Sequence, residues 1–156
     1  MSNMSVLALN KKTMNIYQKL SEARKAIRDS EVKKDGFNEF SKYAYFTPEQ
    51  VESLIVDACE KTGTICLTSL DKDEFGYYQV LTFLDIEKPE EKITFRLRTE
   101  RPEIKATNLT QQMGGMDTYS ERYLKMKAFQ IKDNSMDFDS QDNRVNKKVV
   151  DDVNFD

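Results

Sequence analysis

Three short segments of the chain carry basic side chains at a spacing that could bind an anionic ligand. Lysine and arginine bind phosphate oxygens, and an aromatic ring beside them can stack on a base. The alternative is that these charges solvate the outer faces of ordinary strands and helices. The three groups are Lys33, Lys34 and Lys42 beside Tyr43; Arg96, Arg98, Arg101 and Lys105; and Arg122, Lys125 and Lys127.

The residue types that the chain lacks exclude most catalytic chemistry. Its 156 residues include no His, which removes catalytic triads, His–Cys dyads and His-containing zinc or di-iron sites. Two Cys cannot build a four-thiolate site, and we expect Cys59 and Cys66 to be free thiols of a reducing cytoplasm. No Gly belongs to a Walker A loop or a dinucleotide fingerprint, so we expect no ATP-driven chemistry.

Charge is distributed along the chain in alternating blocks. The formal net charge is −3, but residues 1–48 carry +4, residues 49–91 carry −8, residues 92–132 carry +5 and residues 133–156 carry −4. Ligand binding depends on the charge of the local surface. A basic block could therefore bind an anionic ligand although the chain as a whole is acidic. Residues 1–10 have only a short apolar run with no basic region before it, which predicts neither a secretory signal nor a membrane span.

The sequence predicts an α+β fold, whose helices and strands position these residues. Apolar spacing, helix caps and turn residues predict, in chain order, a helix over residues 13–32, a helix from Pro48 to Gly63, strands over residues 64–70, 77–86 and 92–98, and a long helix from Leu109. The three strands form an antiparallel meander with helices before and after it. The link over residues 37–46 is rich in aromatic residues but too irregular to predict a strand.

Periodicity also predicts the faces of these elements. The third strand places Arg96 and Arg98 on the face opposite its apolar residues. The first helix carries a basic outer face that includes Lys19 and Arg24. Periodicity is lost near the C-terminus, where acidic residues accumulate. The predicted organisation is a flexible N-terminus over residues 1–12, a core domain over residues 13–132 and a disordered acidic tail over residues 133–156.

The third helix carries two tyrosines and two glycines. Tyr119 and Tyr123 are four residues apart, a spacing at which side chains share one helix face. We therefore expect both to be structural and to pack the helix onto the sheet. Gly114 and Gly115 are unfavourable inside a helix, which predicts that the backbone there approaches the sheet closely or bends.

Two segments carry motifs that are more specific than composition. Residues 114–124 read Gly-Gly-Met-Asp-Thr-Tyr-Ser-Glu-Arg-Tyr-Leu, and residues 42–51 read Lys-Tyr-Ala-Tyr-Phe-Thr-Pro-Glu-Gln-Val. The first resembles the signature helix of the phage Erf (essential recombination function) family of single-strand annealing proteins, and the second is similar to the segment before that family's second helix. With the order of the elements, the resemblance spans residues 14–142.

The resemblance implies a cytoplasmic protein of phage-infected bacterial cells that binds single-stranded DNA, forms homo-oligomeric rings or helical filaments, and pairs complementary strands without ATP. It implies no enzymatic activity, cofactor, metal or membrane contact, and it makes a host or phage single-strand-binding protein or an exonuclease a candidate partner. It also favours DNA binding over plain solvation for the basic groups. The candidate binding residues are Lys33, Lys34, Lys42, Tyr43, Arg96, Arg98, Arg101, Lys105, Arg122 and Lys125.

The sequence leaves alternatives open for the function of the chain and for the role of its acidic tail. A passive single-stranded DNA-binding protein would share the basic groove and differ only in whether it brings two strands together. The aspartates after residue 132 suggest a metal site, but they lack the spacing of a calcium loop, so a solvated tail is favoured. That tail could also compete with DNA for the basic groove or recruit a partner.

Overall fold

The computed structural model describes residues 14–102 and 105–133. The described chain is an α+β fold with three helices, a three-stranded antiparallel sheet and a two-stranded sheet. Its elements are α1 (Ile16–Arg28), β1 (Gly36–Asn38), β2 (Tyr43–Tyr45), α2 (Pro48–Thr62), β3 (Thr64–Asp73), β4 (Gly76–Asp85), β5 (Lys92–Thr99) and α3 (Leu109–Phe129). The chain divides into a larger unit, which contains Pro48–Ile131 and the chain up to Glu31, and a smaller unit, which contains Val32–Thr47 and the chain from Lys132.

Reciprocal side-chain caps fix where two of the helices begin. The Asn15 side chain accepts a hydrogen bond from the Gln18 amide, and the Gln18 side chain accepts one from the Asn15 amide, each at 2.9 Å. Asn108 and Gln111 make the same arrangement at the start of α3. α1 ends earlier than predicted, because Ile27 is the last apolar residue of its buried stripe.

The predicted antiparallel meander is confirmed, in the strand order β3–β4–β5. β3 and β4 pair from Thr64 with Asp85 to Asp73 with Gly76, and β4 and β5 pair from Tyr77 with Thr99 to Leu84 with Lys92. β3 runs past its predicted end because its hairpin to β4 needs only two residues between the strands, with Gly76 at φ +121. Gly63, at φ +66, ends α2 and leads into β3 as predicted.

The helices of the larger unit pack on one face of the sheet, which we call the inner face. Alternate residues of β4 point to it, so Leu81 and Phe83 are fully buried. The Phe83 ring meets Phe129 of α3 edge to face, with centroids 5.9 Å apart. Ile55 of α2 and Ala23 of α1 are buried in the same unit. One apolar core therefore joins all three helices to the sheet.

The inner face also buries charges that the sequence predicts in solvent. Lys19 is only 6% exposed, and its Nζ lies 2.6 Å from Oδ2 of the buried Asp85. The predicted basic outer face of α1 is therefore wrong at Lys19, because this residue lies within the buried stripe of the helix. Arg24 is half-buried and donates two hydrogen bonds to the Ala128 carbonyl, at 2.9 and 2.7 Å. These contacts connect α1 with the sheet and with α3.

The two cysteines meet between α2 and β3. Cys59 and Cys66 are both free thiols, as predicted. The neighbouring Cys59 thiol, together with burial, raises the pKa of the Cys66 thiol. With Ile55 and Lys125 they line a groove of about 480 Å³ along β3.

The aromatic link forms a hairpin, β1 and β2, in the smaller unit, so the prediction of an irregular segment is wrong. Phe37 pairs with Ala44 at the centre of the hairpin. The Asn38 side chain accepts hydrogen bonds from the amides of Phe40 and Ser41, at 3.0 and 2.9 Å, and so fixes the turn. Each strand has only three residues, which is too short for an alternation of apolar and polar residues to be recognised.

The ends of the chain are described only in part. Asp133 is buried, and its Oδ2 accepts a hydrogen bond from the Phe46 amide at 2.9 Å within the smaller unit. The rest of the predicted tail, residues 134–156, and the predicted flexible segment, residues 1–12, lie outside the described residues. None of the described helices is long and apolar enough to cross a membrane.

Candidate nucleic-acid interface

The face of the sheet opposite the helices, which we call the outer face, is covered by no described helix of the larger unit. Every second residue of each strand points to it. Two apolar side chains of β3, Ile65 and Leu67, are 42% and 54% exposed. Strand register sets the rows across this face: Asp71, Tyr78 and Arg98 form one row, and Ser69, Val80 and Arg96 form the next.

Two arginines and one aromatic ring form a cluster on the outer face, which we call the Tyr78 cluster. The guanidinium carbon of Arg96 lies 5.5 Å from the centroid of the Tyr78 ring, and that of Arg98 lies 5.1 Å from it. Arg98 also lies 5.8 Å from the centroid of the Phe75 ring. Stacking on a ring reduces the freedom of a guanidinium without using all of its hydrogen-bond donors. The cluster therefore presents oriented donors for phosphate oxygens.

Arg98 already has a carboxylate partner. Two of its nitrogens donate to the two carboxylate oxygens of Asp73, each at 2.6 Å. The hydrogen bond from Arg98, together with bonds from backbone amides, lowers the pKa of Asp73 to about 2. An anionic ligand at Arg98 must therefore compete with Asp73. Arg96 is exposed, and among the described residues no carboxylate pairs with it.

The other predicted residues of the larger unit divide between surface and interior. Arg101 and Lys105 are exposed after β5, on either side of the two residues that the structure leaves undescribed. Arg122 is half-buried on α3. Arg96, Arg98 and the exposed residues after β5 are therefore near one another along the chain, and the structure brings Arg96 and Arg98 together in space.

Lys125 belongs to a polar network on the helix side of β3. Its side chain is only 14% exposed, and its Nζ lies 2.5 Å from a Glu52 oxygen and 2.7 Å from a Glu121 oxygen. The Thr68 hydroxyl donates to the same Glu121 oxygen at 2.9 Å. Burial alone would lower the pKa of Lys125, but the hydrogen bonds to the two carboxylates raise it. Lys125 thus connects α2, β3 and α3, and it is not on the outer face with Arg96.

The remaining candidates lie in the smaller unit and form a separate group. Lys34 Nζ lies 5.3 Å from the centroid of the Phe46 ring. Lys42 is exposed, takes a positive φ of 54° and pairs with Glu39 at 3.0 Å. Tyr43 meets Tyr45 edge to face, with centroids 6.3 Å apart, and Lys33 is exposed. This hairpin therefore combines lysines with aromatic rings, the two residue types expected of a single-strand contact.

The predicted packing role of Tyr119 on α3 is wrong. Tyr119 is 62% exposed, and its hydroxyl donates to the Tyr123 hydroxyl at 2.7 Å. α3 instead contacts the sheet through a stripe that includes Met116, Ser120 and Leu124. Tyr119 directly precedes Ser120, and adjacent residues of a helix point in different directions, so Tyr119 lies on another side of the helix.

Of the two roles predicted for the glycines of α3, a close approach of the backbone to the sheet is wrong, and a bend of the helix stays a prediction. A Cβ atom added at Gly114 or at Gly115 would meet no heavy atom within 4 Å. A close approach of the helix backbone to the sheet therefore does not explain these glycines. α3 runs as one helix through both positions.

Three residues that contact Arg96 or Arg98 lie outside the candidates predicted from the sequence. Tyr78 and Phe75 provide the rings under the arginines, and Asp73 provides the carboxylate. The alternation of β4 indicates that Tyr78 faces away from the core. Its pairing with Arg98 depends on strand register, which the two-residue hairpin sets. Among the described residues, no group of His, Cys, Asp or Glu could hold a metal ion.

The family model of the ERF superfamily matches residues 16–153. The chain therefore belongs to the ERF superfamily, and the resemblance seen in the sequence is confirmed. Membership places it among proteins of phage recombination and single-strand annealing. No curated protein and no solved structure matches the chain significantly.

Proposed function

We propose that this chain binds single-stranded DNA on the outer face of its sheet and pairs complementary strands without ATP. The observation that supports this proposal best is the Tyr78 cluster, in which Arg96 and Arg98 of β5 both lie over the ring of Tyr78 on β4. Membership of the ERF superfamily supplies the recombination context. The protein acts by binding, not as an enzyme, in the cytoplasm of an infected cell.

Strand pairing requires a strand that is held by its backbone while its bases stay accessible. Guanidinium groups of β5 bind phosphates, which supplies affinity without reading sequence. Aromatic rings beside them can stack on bases with little sequence preference. The outer face of the sheet offers both kinds of contact to one bound strand and leaves the opposite edge of that strand open to a second strand.

We also propose that the protein works as a homo-oligomer, in a ring or helical filament. No strand pairs with the outer edge of β3 or of β5 within the described residues. An open edge presents unpaired backbone groups that another chain can pair with, and a second copy can cover it by extending the sheet. A sheet continued through several subunits would lengthen the track for DNA. A single-strand-binding protein or an exonuclease remains a further candidate partner.

Mixing complementary labelled oligonucleotides with the protein and no nucleotide tests the function directly. We expect duplex formation to be faster than in the protein-free control, and slower with Arg96→Gln than with wild type. Arg28→Gln is the matched control, because it removes an exposed positive charge from α1, on the helix side of the sheet. Tight binding without acceleration would favour a passive single-stranded DNA-binding protein. No binding at all would refute the proposal.

A further inference from the structure

A cavity at the end of β5 has no role in the structure described so far. It lies between this strand, the segment that follows it and α3, and its volume of about 520 Å³ is in the range of small-ligand pockets, roughly 300–1,000 Å³. Arg98, Glu100 and Pro102 line it from the strand side, and Gly115 and Tyr119 line it from the helix. We propose that this cavity receives one nucleobase of the bound DNA strand. The inference rests on the proposed function.

Gly115 is the first reason for this inference. Glycine destabilises the middle of a helix relative to alanine, so its presence there calls for a reason. The φ of Gly115 is not in the left-handed region, and an added Cβ would meet no heavy atom of the protein within 4 Å. Neither backbone strain nor packing explains the glycine. A Cβ at this position would instead take up space in the cavity, which is the space that a ligand needs.

Tyr119 is the second reason, because it supplies a ring that the fold does not use. The ring is 62% exposed and lies one helical turn after Gly115. The hydrogen bond between the hydroxyls of Tyr119 and Tyr123, and the 4.4 Å separation of their ring centroids, hold the ring in place. An exposed ring of fixed orientation beside a glycine is suited to stacking on a flat base.

The charges around the cavity favour a base over a phosphate. The Glu100 carboxylate repels a phosphate, whereas it can accept hydrogen bonds from the amino group of a base. Arg98 connects the cavity to the Tyr78 cluster, where phosphates are expected. A strand with its backbone on the outer face could thus turn one base past the C-terminal end of β5 into the cavity.

Two adjacent glycines provide a matched pair of variants for the test. Gly114 and Gly115 are both exposed in α3 with open space at the Cβ position, but only Gly115 lines the cavity. We propose to compare Gly115→Leu with Gly114→Leu in the full chain. Both variants should fold and gain thermal stability, because leucine is a better helix former than glycine.

The measurement is the dissociation constant for a single strand and for the same strand with abasic sites. The ratio of the two constants reports base contacts and cancels phosphate contacts. Wild type and Gly114→Leu should prefer the normal strand by about tenfold or more, as stacking predicts. Gly115→Leu should lose most of this preference, while the dependence of its affinity on salt stays unchanged.

Tyr119 variants keep the test decisive if a glycine variant is unstable. Tyr119→Ala should lower the preference for the normal strand, and Tyr119→Phe should keep most of it, because phenylalanine loses the hydrogen bond to Tyr123 but retains the stacking surface and the ring contact with Tyr123. Equal preferences for Gly115→Leu, Gly114→Leu and wild type would overturn the base cavity while leaving DNA binding intact. A wild-type chain that binds neither strand would overturn the proposed function as well.

Discussion

The charged residues at the two faces of the sheet differ in their exposure to solvent. On the inner face, Lys19 and Asp85 are both buried and form an ion pair of 2.6 Å. On the outer face, Arg96 and Arg98 are exposed and lie over the Tyr78 ring. β4 positions Asp85 for the first set and Tyr78 for the second, since alternate residues of a strand point to opposite faces.

This difference separates stability from binding. A buried pair offsets the cost of taking two charges out of water, so the loss of one partner leaves a charge without compensation. An exposed arginine contributes little to stability, and its guanidinium stays accessible to a ligand, which at Arg98 must compete with Asp73. Substitutions on the inner face should therefore unfold the protein, and substitutions on the outer face should weaken DNA binding in a folded protein.

The largest expected effect belongs to the inner face. Lys19→Met should lower the free energy of unfolding by about 3–5 kcal/mol, because it leaves Asp85 buried and charged. Urea denaturation measures this loss. Lys25→Met, which removes an exposed charge from the same helix, should change stability by at most about 0.5 kcal/mol. A similar small change for Lys19→Met would show that the buried pair contributes little.

The same pair predicts how stability depends on pH. Burial alone would raise the pKa of Asp85, but hydrogen bonds from Lys19 and from the Glu87 amide lower it below its ordinary value. The contribution of the pair is therefore fully present above the ordinary pKa of an aspartate and is lost as the pH falls through the lowered pKa. The variant Lys19→Met should lose less stability than wild type over that acidic range.

A smaller effect is expected at Lys125, which should contribute to stability like Lys19 and not to DNA binding. Lys125→Met should lower the free energy of unfolding by about 1–3 kcal/mol, because Glu52 and Glu121 both lose a charged hydrogen bond. The salt dependence of single-strand affinity should stay as in wild type. A flatter salt dependence with unchanged stability would instead assign Lys125 to the DNA contact that the sequence predicts.

The smallest expected effect concerns the carboxylate that pairs with Arg98 on the outer face. Asp73→Asn removes the carboxylate that competes with DNA for Arg98, and it should strengthen single-strand binding by up to about fivefold at low salt. The pKa of Asp73 is about 2, so its pair with Arg98 is lost only as the pH falls through that value. Wild-type affinity measured between pH 7 and pH 5 should therefore show no gain from release of Arg98. Weaker binding by Asp73→Asn would mean that Asp73 positions Arg98 for DNA.

Much of the fold could be predicted from local patterns. The α+β class, the meander and the start of α2 follow from apolar spacing, turn residues and the Thr-Pro cap, and the structure confirms them. The outward direction of Arg96 and Arg98 follows from alternation in β5. These features depend on residues that are close together in the sequence.

Other features depend on contacts between distant residues, which periodicity does not reveal. Lys19 lies in an apolar stripe, but a charge there is tolerated only because Asp85, 66 residues later, meets it. The Tyr78 cluster requires the register between β4 and β5. The exposure of Tyr119 depends on which side of α3 contacts the sheet, and that side contains Met116, Ser120 and Leu124.

The salt dependence of single-strand affinity tests most directly whether the outer face binds DNA. Wild type, the double variant Arg96→Gln with Arg98→Gln, and the control Arg28→Gln should be compared from low to moderate salt. The double variant should stay folded and should flatten the slope of log affinity against log salt by about 1.4, at ~0.7 for each phosphate contact on a single strand. The control should keep the wild-type slope. An unchanged slope for the folded double variant would contradict DNA binding at the Tyr78 cluster.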